Sequence, residues 1–285
     1  MSRSALLVLK KETGLTSFSS LGYVKKYFKG EKVGHAGTLD KFASGLMLVL
    51  VGKATRLNPL FSSLDKTYIA TVKFGVETDT LDPEGEVVET GKIPTKDEIE
   101  AILPTFLGKQ LQIPPVYSAL HVNGKRAYQL ARSGQDVEMQ AREINIYDIK
   151  LLEVNNDCAK IQLCVSKGTY IRSFARDLGH ALSTCASLTA LERTCIGPYD
   201  YSNISEFETA VEKTRPLLLK MNNIHTLELK SEAIKLIKNG YLPNDFFHPH
   251  DLKEGYYLGL FNNKCLVILN YKDNRFEILT QFEDC

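Results

Sequence analysis

One carboxylate stands out because of the short segment that carries it. Residues 34–40, GHAGTLD, place two glycines, a histidine and Asp40 in a stretch too short and irregular for the interior of a helix or strand. A carboxylate on such a segment can serve as a nucleophile or as a base. Aspartate after a glycine-rich turn also caps helices, and the following KFASG could form a first helical turn. The residues of this segment alone leave both interpretations open.

Sequence motifs for metal or nucleotide binding are missing. The six histidines are scattered without HExxH or similar spacing, and the six cysteines form no CxxC pair. The segment GLMLVLVGK, residues 45–53, has six residues between its glycines and Ala54 after its lysine, unlike a Walker motif. We therefore predict neither a metal nor a cofactor.

The composition is that of a globular chain. With 285 residues, 44% of them hydrophobic, it can fill the core of one large domain or of a large and a small one. The cysteine pattern indicates no disulfide framework, which favours a reducing cytosol. The apolar run Ala5–Leu9 is shorter than a signal-peptide core, and no run approaches about 20 apolar residues. We therefore predict a cytoplasmic protein with no membrane-spanning segment.

Charge is distributed unevenly, although the net charge is only +1. Residues 1–60 contain ten Lys and Arg against three Asp and Glu, whereas residues 61–100 contain four against ten. Two further basic clusters follow: Lys125, Arg126 and Arg132, and Lys167, Arg172 and Arg176. Separate basic patches of this kind can follow the phosphates of a polyanion, and ordinary solvated faces would look the same.

Periodic apolar residues predict the elements that position Asp40. Residues 5–9 and 46–51 read as short buried strands, and alternation over residues 68–76 puts Tyr68 on the apolar face of a third. The apolar face of a first helix is formed by Phe18, Leu21, Val24 and Phe28. Thr95 and Glu98 have the spacing of a capping box. A further helix starts after Gly168 and carries Arg172 away from its apolar face.

Strands and helices alternate irregularly, with several hairpins between them. This order predicts an α/β (α+β) fold with a mixed, largely antiparallel sheet flanked by helices. The last sixty or so residues hold one short helix, Ser231–Asn239, and three short strands, YYLGLF, KCLVIL and RFEIL. We therefore predict a large domain over residues 1–222 and a small β-rich domain over residues 223–285.

Six segments along the chain form one recognisable series of motifs. They are GHAGTLDKFASG (34–45), VGKATRL (51–57), DKTYIATVKFGVETDTLDPEG (65–85), IPPVYSALHVNGKRAYQLARSG (113–134), SKGTYIRSFARDLG (166–179) and LERTCIGPY (191–199). In wording and in order they closely resemble the TruB family of tRNA pseudouridine synthases. The resemblance runs from about Leu6 to Tyr199, some two thirds of the chain.

The resemblance implies both a reaction and a fold, the pseudouridine synthase fold. TruB enzymes isomerise the uridine at position 55 in the T-loop of tRNA by detaching the base from C1′, turning it and rejoining it through C5. Neither a metal nor a redox cofactor is required. Asp40 matches the catalytic aspartate of the family, and it would act as a nucleophile on the sugar or as a base toward C2′. The residues do not separate these two mechanisms.

Other family positions are matched by residues expected around Asp40. Arg172 matches the arginine of the KGTYIR segment, and we expect it to pair with Asp40. Tyr68 matches the tyrosine that stacks on the target base and takes part in proton transfer. Tyr170 and Leu191 match positions that line the base pocket.

Further matches concern the RNA. His35 matches a histidine that stacks into the opened T-loop, and its other interpretation is a turn histidine with a structural hydrogen bond. The candidate phosphate contacts are Lys11, Lys53, Lys125 and Arg126. The implied partner is the T-arm stem-loop of tRNA, bound by a monomer without an obligatory protein partner.

The chain departs from the family at two places. Glu12 follows Lys11 where the family commonly has Pro, and Lys41 stands where Pro usually follows the catalytic aspartate. Lys41 adds a cation that could lower the pKa of Asp40 or contact RNA. Residues 229–242 and 257–261 resemble, more weakly, a PUA-like RNA-binding domain, which would make residues 1–222 the catalytic domain.

Two alternatives stay open. One is a non-catalytic RNA-binding or tRNA-folding protein on the same scaffold, against which Asp40, Tyr68 and Arg172 argue. The other is the guide-RNA-dependent relative dyskerin, whose catalytic motifs are similar. The ordinary length and the lack of long lysine-rich tails favour a stand-alone enzyme over this relative.

Overall fold

A computed structural model describes residues 3–122, 124–222, 224–242, 252–262 and 264–281. The α-helices are α1 (Gly22–Tyr27), α2 (Asn58–Ser62), α3 (Lys96–Ile102), α4 (Ala127–Arg132), α5 (Ile171–Ala181), α6 (Ala210–Leu219) and α7 (Ser231–Lys238). The first strands are β1 (Ala5–Lys11), β2 (Val33–Ala36), β3 (Ser44–Val51), β4 (Lys66–Phe74), β5 (Val76–Thr78), β6 (Val87–Thr90), β7 (Gly108–Gln112), β8 (His121–Val122) and β9 (Lys125–Arg126). The remaining strands are β10 (Arg142–Asn155), β11 (Cys158–Val165), β12 (Ala186–Ile196), β13 (Ile224–Glu228), β14 (Gly255–Phe261), β15 (Lys264–Lys272) and β16 (Arg275–Gln281). Within these ranges no helix combines the length and the apolar character needed to cross a membrane.

The chain divides into two compact units. The first comprises Met1–Leu39, Leu46–Ser62 and Ile196–Cys285, and the second comprises Asp40–Gly45 and Ser63–Cys195. The division falls directly before Asp40, and Asp40, Tyr68 and Arg172 all belong to the second unit.

In the first unit a helix covers the N-terminal strands. Strand β2 pairs antiparallel with β3, and β1 lies beside β3 in the same sheet. Leu21, Val24 and Phe28 are buried in the core that includes Met47 and Val49, as their helical spacing predicts. Phe18 is 69% exposed, so its prediction as part of this apolar face is wrong. The reason is local, because α1 begins only at Gly22 after a 3₁₀ turn, Ser19–Leu21.

A C-terminal sheet is present, also in the first unit, and it has the strand order β13-β14-β15-β16. The three predicted strands and the short helix α7 are confirmed, and the structure adds β13, which pairs parallel with β14. Buried residues of α7, including Ala233 and Ile237, pack with Tyr257, Val267 and Leu269. The boundary between residues 222 and 223 stays a prediction.

The second unit contains a sheet with the order β12-β4-β11-β10-β7. The pairs β4–β11, β11–β10 and β10–β7 are antiparallel, whereas β12 pairs parallel with Ser44 and Gly45 at the start of β3. The predicted mixed α/β fold with a largely antiparallel sheet is therefore confirmed. Burial alternates along β4 and includes Tyr68, and the strand ends at Phe74, earlier than predicted, because Gly75 takes a φ of +76°.

Two helices of the second unit begin as predicted. Thr95 caps α3, and its hydroxyl and the Glu98 side chain form the reciprocal bonds of a capping box. Helix α5 buries Ile171, Phe174 and Leu178. It starts directly after the extended residue Tyr170. Its first turn faces loops of the second unit, because Arg172 donates to the carbonyls of Thr80 and Tyr117.

Gly45 offers a test of this architecture, because it has a φ of +113° and a Cβ there would overlap the backbone of Arg193. We expect Gly45→Ala to lower the free energy of unfolding by about 3 kcal/mol or more. The control Gly108→Ala, with a φ of +91° but no atom within 4 Å of the added Cβ, should cost only about 1 kcal/mol. Urea unfolding monitored by circular dichroism measures both. Equal losses would contradict the close β3–β12 approach.

Candidate active site

Asp40 lies on an irregular segment between β2 and β3. Gly37 has a φ of +81°, and the Ser17 hydroxyl both accepts from the Leu39 N–H (2.8 Å) and donates to the Leu39 carbonyl (3.0 Å). No helix begins after Asp40, since residues 41 and 42 form a bend and the Ala43 N–H donates to the Asp40 carbonyl. The helix-capping interpretation of Asp40 is therefore wrong.

The Asp40 carboxylate is paired with Arg172. The Nη2 group of Arg172 donates to Oδ1 of Asp40 at 3.1 Å, and its Nε lies 3.0 Å from Oδ2. The Arg172 side chain is only 6% exposed, whereas the Asp40 side chain is 38% exposed. One face of the carboxylate is thus held by a buried cation, and solvent still reaches the residue.

Both Nη groups of Arg172 make further contacts in the second unit. Nη1 donates to the Thr80 carbonyl and Nη2 to the Tyr117 carbonyl, both at 3.0 Å. Nη1 also lies 3.3 Å from Oδ2 of Asp82, whose side chain is 7% exposed. The guanidinium therefore lies between two carboxylates and is fixed by two backbone carbonyls.

Asp82 is itself fixed by its own hairpin loop, between β5 and β6. Its N–H donates to the Thr78 hydroxyl at 3.0 Å, and that hydroxyl donates to the Asp82 carbonyl at 2.8 Å. Its Oδ1 accepts from the Thr80 hydroxyl (2.7 Å) and the Glu84 N–H (3.0 Å). These bonds leave Oδ2 for Arg172, so Asp82 orients the guanidinium that holds Asp40.

Asp82 is the site residue that sequence reasoning missed. It is one of many acidic residues between positions 61 and 100. It also begins the turn-forming sequence Asp-Pro-Glu-Gly, which is enough to explain an aspartate at this position. Only the long-range contact with Arg172 distinguishes it. No local signal separates Asp82 from the neighbouring acids, although a buried arginine gains from a second carboxylate.

The pKa of Asp40 is raised above its ordinary value, chiefly because burial disfavours the carboxylate. The charge and the hydrogen bond of Arg172 oppose this rise, and the negative charges of Asp82 and Glu84 add to it. Lys41 forms an ion pair with Glu84, with 3.1 Å between Nζ and Oε1. The cation after Asp40 is thus directed at the hairpin loop.

The predicted pocket residues lie in the same unit. Tyr170 directly precedes α5, and Gln112 holds its backbone by accepting from its N–H (2.9 Å) and donating to its carbonyl (3.1 Å). Burial raises the pKa of the Tyr170 phenol, on which the charges of Arg172 and Asp40 also act. Tyr68 on β4 and Leu191 on β12 are 8% and 7% exposed.

The predicted RNA contacts are divided between the units. In the second, Lys125 and Arg126 are exposed on β9. In the first, His35 is half-buried, and its carbonyl accepts from Asn58 at 2.7 Å. Lys53 is half-buried after β3.

Lys11 has no exposed surface, and its Nζ donates to the Glu12 carbonyl at 3.1 Å. Its assignment to a phosphate stays a prediction, and it requires that Nζ become accessible.

Comparisons with known proteins agree on a family. The family model described as TruB family pseudouridylate synthase, N-terminal domain, matches residues 25–171. The chain is 42% identical to tRNA pseudouridine synthase B of Borreliella burgdorferi strain ZS7, over 83% of this chain and 85% of the relative. It is 37% identical to tRNA pseudouridine synthase B of Francisella philomiragia, over 98% of this chain and 91% of the relative.

Solved structures agree on the fold. A crystal structure of a Cbf5-Nop10-Gar1 complex matches with a TM-score of 0.67 at 21% identity, over 98% of this chain and 84% of that chain. The structure of an H/ACA RNP bound to a substrate RNA containing 2′-deoxyuridine matches with the same TM-score at 20% identity and the same coverage. At these identities the likeness concerns the fold alone.

The contact between Asp40 and Arg172 predicts a measurable shift. Arg172→Gln should raise the pKa of the Asp40 carboxyl further, because the charge and the hydrogen bond that favour the ionised form are lost. Carbon-13 NMR of the labelled carboxyl against pH measures this. Arg176→Gln is the matched control on the same helix, since Arg176 bonds to Asp177 and the Ile113 carbonyl. An unchanged Asp40 pKa in Arg172→Gln would contradict the electrostatic role of the pair.

Proposed function

The chain belongs to the TruB family of pseudouridine synthases and isomerises uridine to pseudouridine in tRNA; we propose that its target is uridine 55 in the T-loop and that Asp40 carries the chemistry. The observation that supports this most strongly is the pairing of Asp40 with the buried Arg172 on an irregular, partly open segment. The six sequence segments that resemble the family contain both residues.

The reaction needs no group beyond those of the substrate and the protein. The bond between N1 of the base and C1′ breaks, the base turns, and a bond forms between C5 and C1′. C5 then loses its proton, and N1 ends with one, so atoms and electrons balance without an oxidant. Asp40 acts as the nucleophile on C1′ or as the base that removes a proton from C2′.

Both routes need Asp40 in its ionised form. Burial works against that form, and a bound nucleotide would remove further water from the carboxylate. The Arg172 guanidinium counters this effect at short range, and Asp82 keeps the guanidinium in place. The ion pair thus holds a charged carboxylate in a site that a flipped base would desolvate.

Uridine must leave the folded T-loop before Asp40 can reach its sugar. Turning the nucleotide out costs a few kcal/mol of unstacking, and stacking on one aromatic side chain returns about 1–3 kcal/mol. We assign this stacking to Tyr68 and the lining of the pocket to Tyr170 and Leu191. His35 supplies part of the rest by stacking into the opened loop.

The remaining binding energy comes from phosphate contacts. We assign them to Lys53, Lys125 and Arg126, and to Lys11 if its Nζ is released on binding. The C-terminal sheet acts as a PUA-like RNA-binding domain over residues 223–285. The enzyme works as a monomer in the cytoplasm, where its substrate is available, without an obligatory protein partner.

The guide-dependent alternative has weaker support. Cbf5 complexes match in fold at about one fifth identity, whereas proteins named tRNA pseudouridine synthase B match at 37–42%. The alternative of a non-catalytic tRNA-binding protein is disfavoured because Asp40 and Arg172 are in contact.

The deciding experiment uses Asp40→Asn and a bare T-arm stem-loop without guide RNA or partner proteins. Wild type should convert the target uridine, and Asp40→Asn should lose at least about a thousandfold in single-turnover rate, since the amide is neither nucleophile nor base. Pseudouridine is read out by carbodiimide labelling and primer extension. The exposed carboxylate of Asp148 on β10 provides the matched control, Asp148→Asn.

Two results would overturn the proposal. Turnover by Asp40→Asn would remove the catalytic role of this residue. Binding without turnover by wild type on the bare stem-loop would favour the non-catalytic protein or, if a guide RNA restored turnover, the guide-dependent enzyme.

Salt dependence tests the phosphate contacts. In the inactive Asp40→Asn background, tRNA affinity should fall steeply with salt, and Lys125→Ala combined with Arg126→Ala should reduce the log–log slope by about 1.5–2. Lys150→Ala is the control, because Lys150 is exposed on β10 and unassigned. Filter binding between about 50 and 200 mM salt covers the useful range. A flat response, or an equal change in the control, would refute these contacts.

A further inference from the structure

A second group of charged side chains in the second unit takes no part in the steps described above. Glu77 on β5, Glu89 on β6 and His180 near the end of α5 each offer one ligand atom, and these atoms lie within 4.8 Å of one another. We propose that these three side chains bind one divalent transition-metal ion, for which Zn²⁺ is the probe. The sequence predicts no such site, because the fold brings His180 to glutamates that are about 90 to 100 residues away along the chain.

Glu77 provides the first argument. Its side chain is 14% exposed, and its Oε2 is buried without a hydrogen-bond partner among the described residues. Buried carboxylate oxygens are normally satisfied by a donor or by an ion. The imidazole of His180 lies beside it, with 3.5 Å between Nε2 and Oε2. The oxygen and the imidazole nitrogen are therefore close enough to bind one ion together.

The second argument is charge. Glu77 and Glu89 face each other directly across the antiparallel β5–β6 pair, where like charges destabilise a hairpin. The charged groups acting on Glu77 are His180, Glu89 and Arg176. The Arg176 guanidinium is already bonded to Asp177 and to the Ile113 carbonyl. A bound divalent cation would offset the negative charges of both carboxylates.

The third argument is geometry. Zinc bound by imidazole nitrogen and carboxylate oxygen at about 2.0–2.2 Å in a tetrahedron separates its ligand atoms by about 3.3–3.5 Å. The separation of Oε2 and Nε2, 3.5 Å, fits this value. Glu89 is exposed, so its carboxylate can turn toward the ion, and water would complete the tetrahedron. The imidazole favours Zn²⁺ over Mg²⁺ and Ca²⁺, which prefer oxygen ligands alone.

Such an ion would link the β5–β6 hairpin to α5 at one end of that helix. The hairpin loop already contacts the other end through Asp82 and Arg172. Arg172 and His180 are eight residues apart, or about 12 Å along a helix. The ion would thus stabilise the element that positions Arg172, without contact with the RNA or with Asp40.

The test is Zn²⁺ titration of the chelator-treated, full-length protein against a chromophoric zinc indicator. His180→Gln and Glu89→Gln should each remove one equivalent of bound Zn²⁺ or weaken it at least about tenfold. His121→Gln and Glu86→Gln are the matched controls, because both residues are exposed and outside the cluster. Mg²⁺ in large excess should not displace the ion.

Hydrogen exchange provides a second measurement. Zn²⁺ should slow exchange over residues 76–90 in wild type and not in His180→Gln. The proposal is overturned if wild type binds no Zn²⁺ at micromolar concentration, or if His180→Gln and Glu89→Gln bind it as wild type does. Neither readout depends on turnover, so failure here would leave the assignment of Asp40 intact, and the reverse also holds.

Discussion

The buried guanidinium of Arg172 is the contact on which the candidate site depends. It joins the segment of Asp40, the hairpin loop of Asp82, the Tyr117 loop and the start of α5, all through one side chain. A buried arginine is tolerated only when its charge is compensated and its donors find acceptors. Asp40 and Asp82 compensate the charge, and both Nη groups of Arg172 donate hydrogen bonds. Loss of either carboxylate would leave a buried charge poorly compensated, so Asp40 and the loops around Arg172 are stabilised together.

The same contact influences the ionisation of the Asp40 carboxyl group. An isolated arginine would favour ionisation strongly, but burial and the negative charges of Asp82 and Glu84 act in the opposite direction. Arg172 therefore holds the carboxylate in place, while burial and the neighbouring negative charges limit how strongly its ionised form is stabilised. In the proposed reaction the carboxylate must stay both charged and accessible to the substrate, whether it acts as nucleophile or as base.

Local signals made much of this arrangement predictable. The capping box of α3 and the alternation around Tyr68 follow from spacing in the sequence, and the pairing of Arg172 with Asp40 follows from the resemblance to the family. The failures have physical causes. Phe18 has helical spacing but precedes α1, and the role of Asp82 depends on a contact 90 residues away along the chain. Short-range sequence patterns do not show which of many acidic residues becomes buried in the folded protein.

Helix α5 constrains the number of residues that separate two of its side chains. Arg172 near its start and His180 near its end both meet the β5–β6 hairpin. Each residue of an α-helix turns the chain by about 100° and advances it by about 1.5 Å. One deletion or insertion between residues 173 and 179 would therefore rotate His180 away while leaving Arg172 in place. The number of residues between Arg172 and His180 is therefore constrained, because it sets the direction in which both side chains leave the helix. The identity of the residues between them is less constrained.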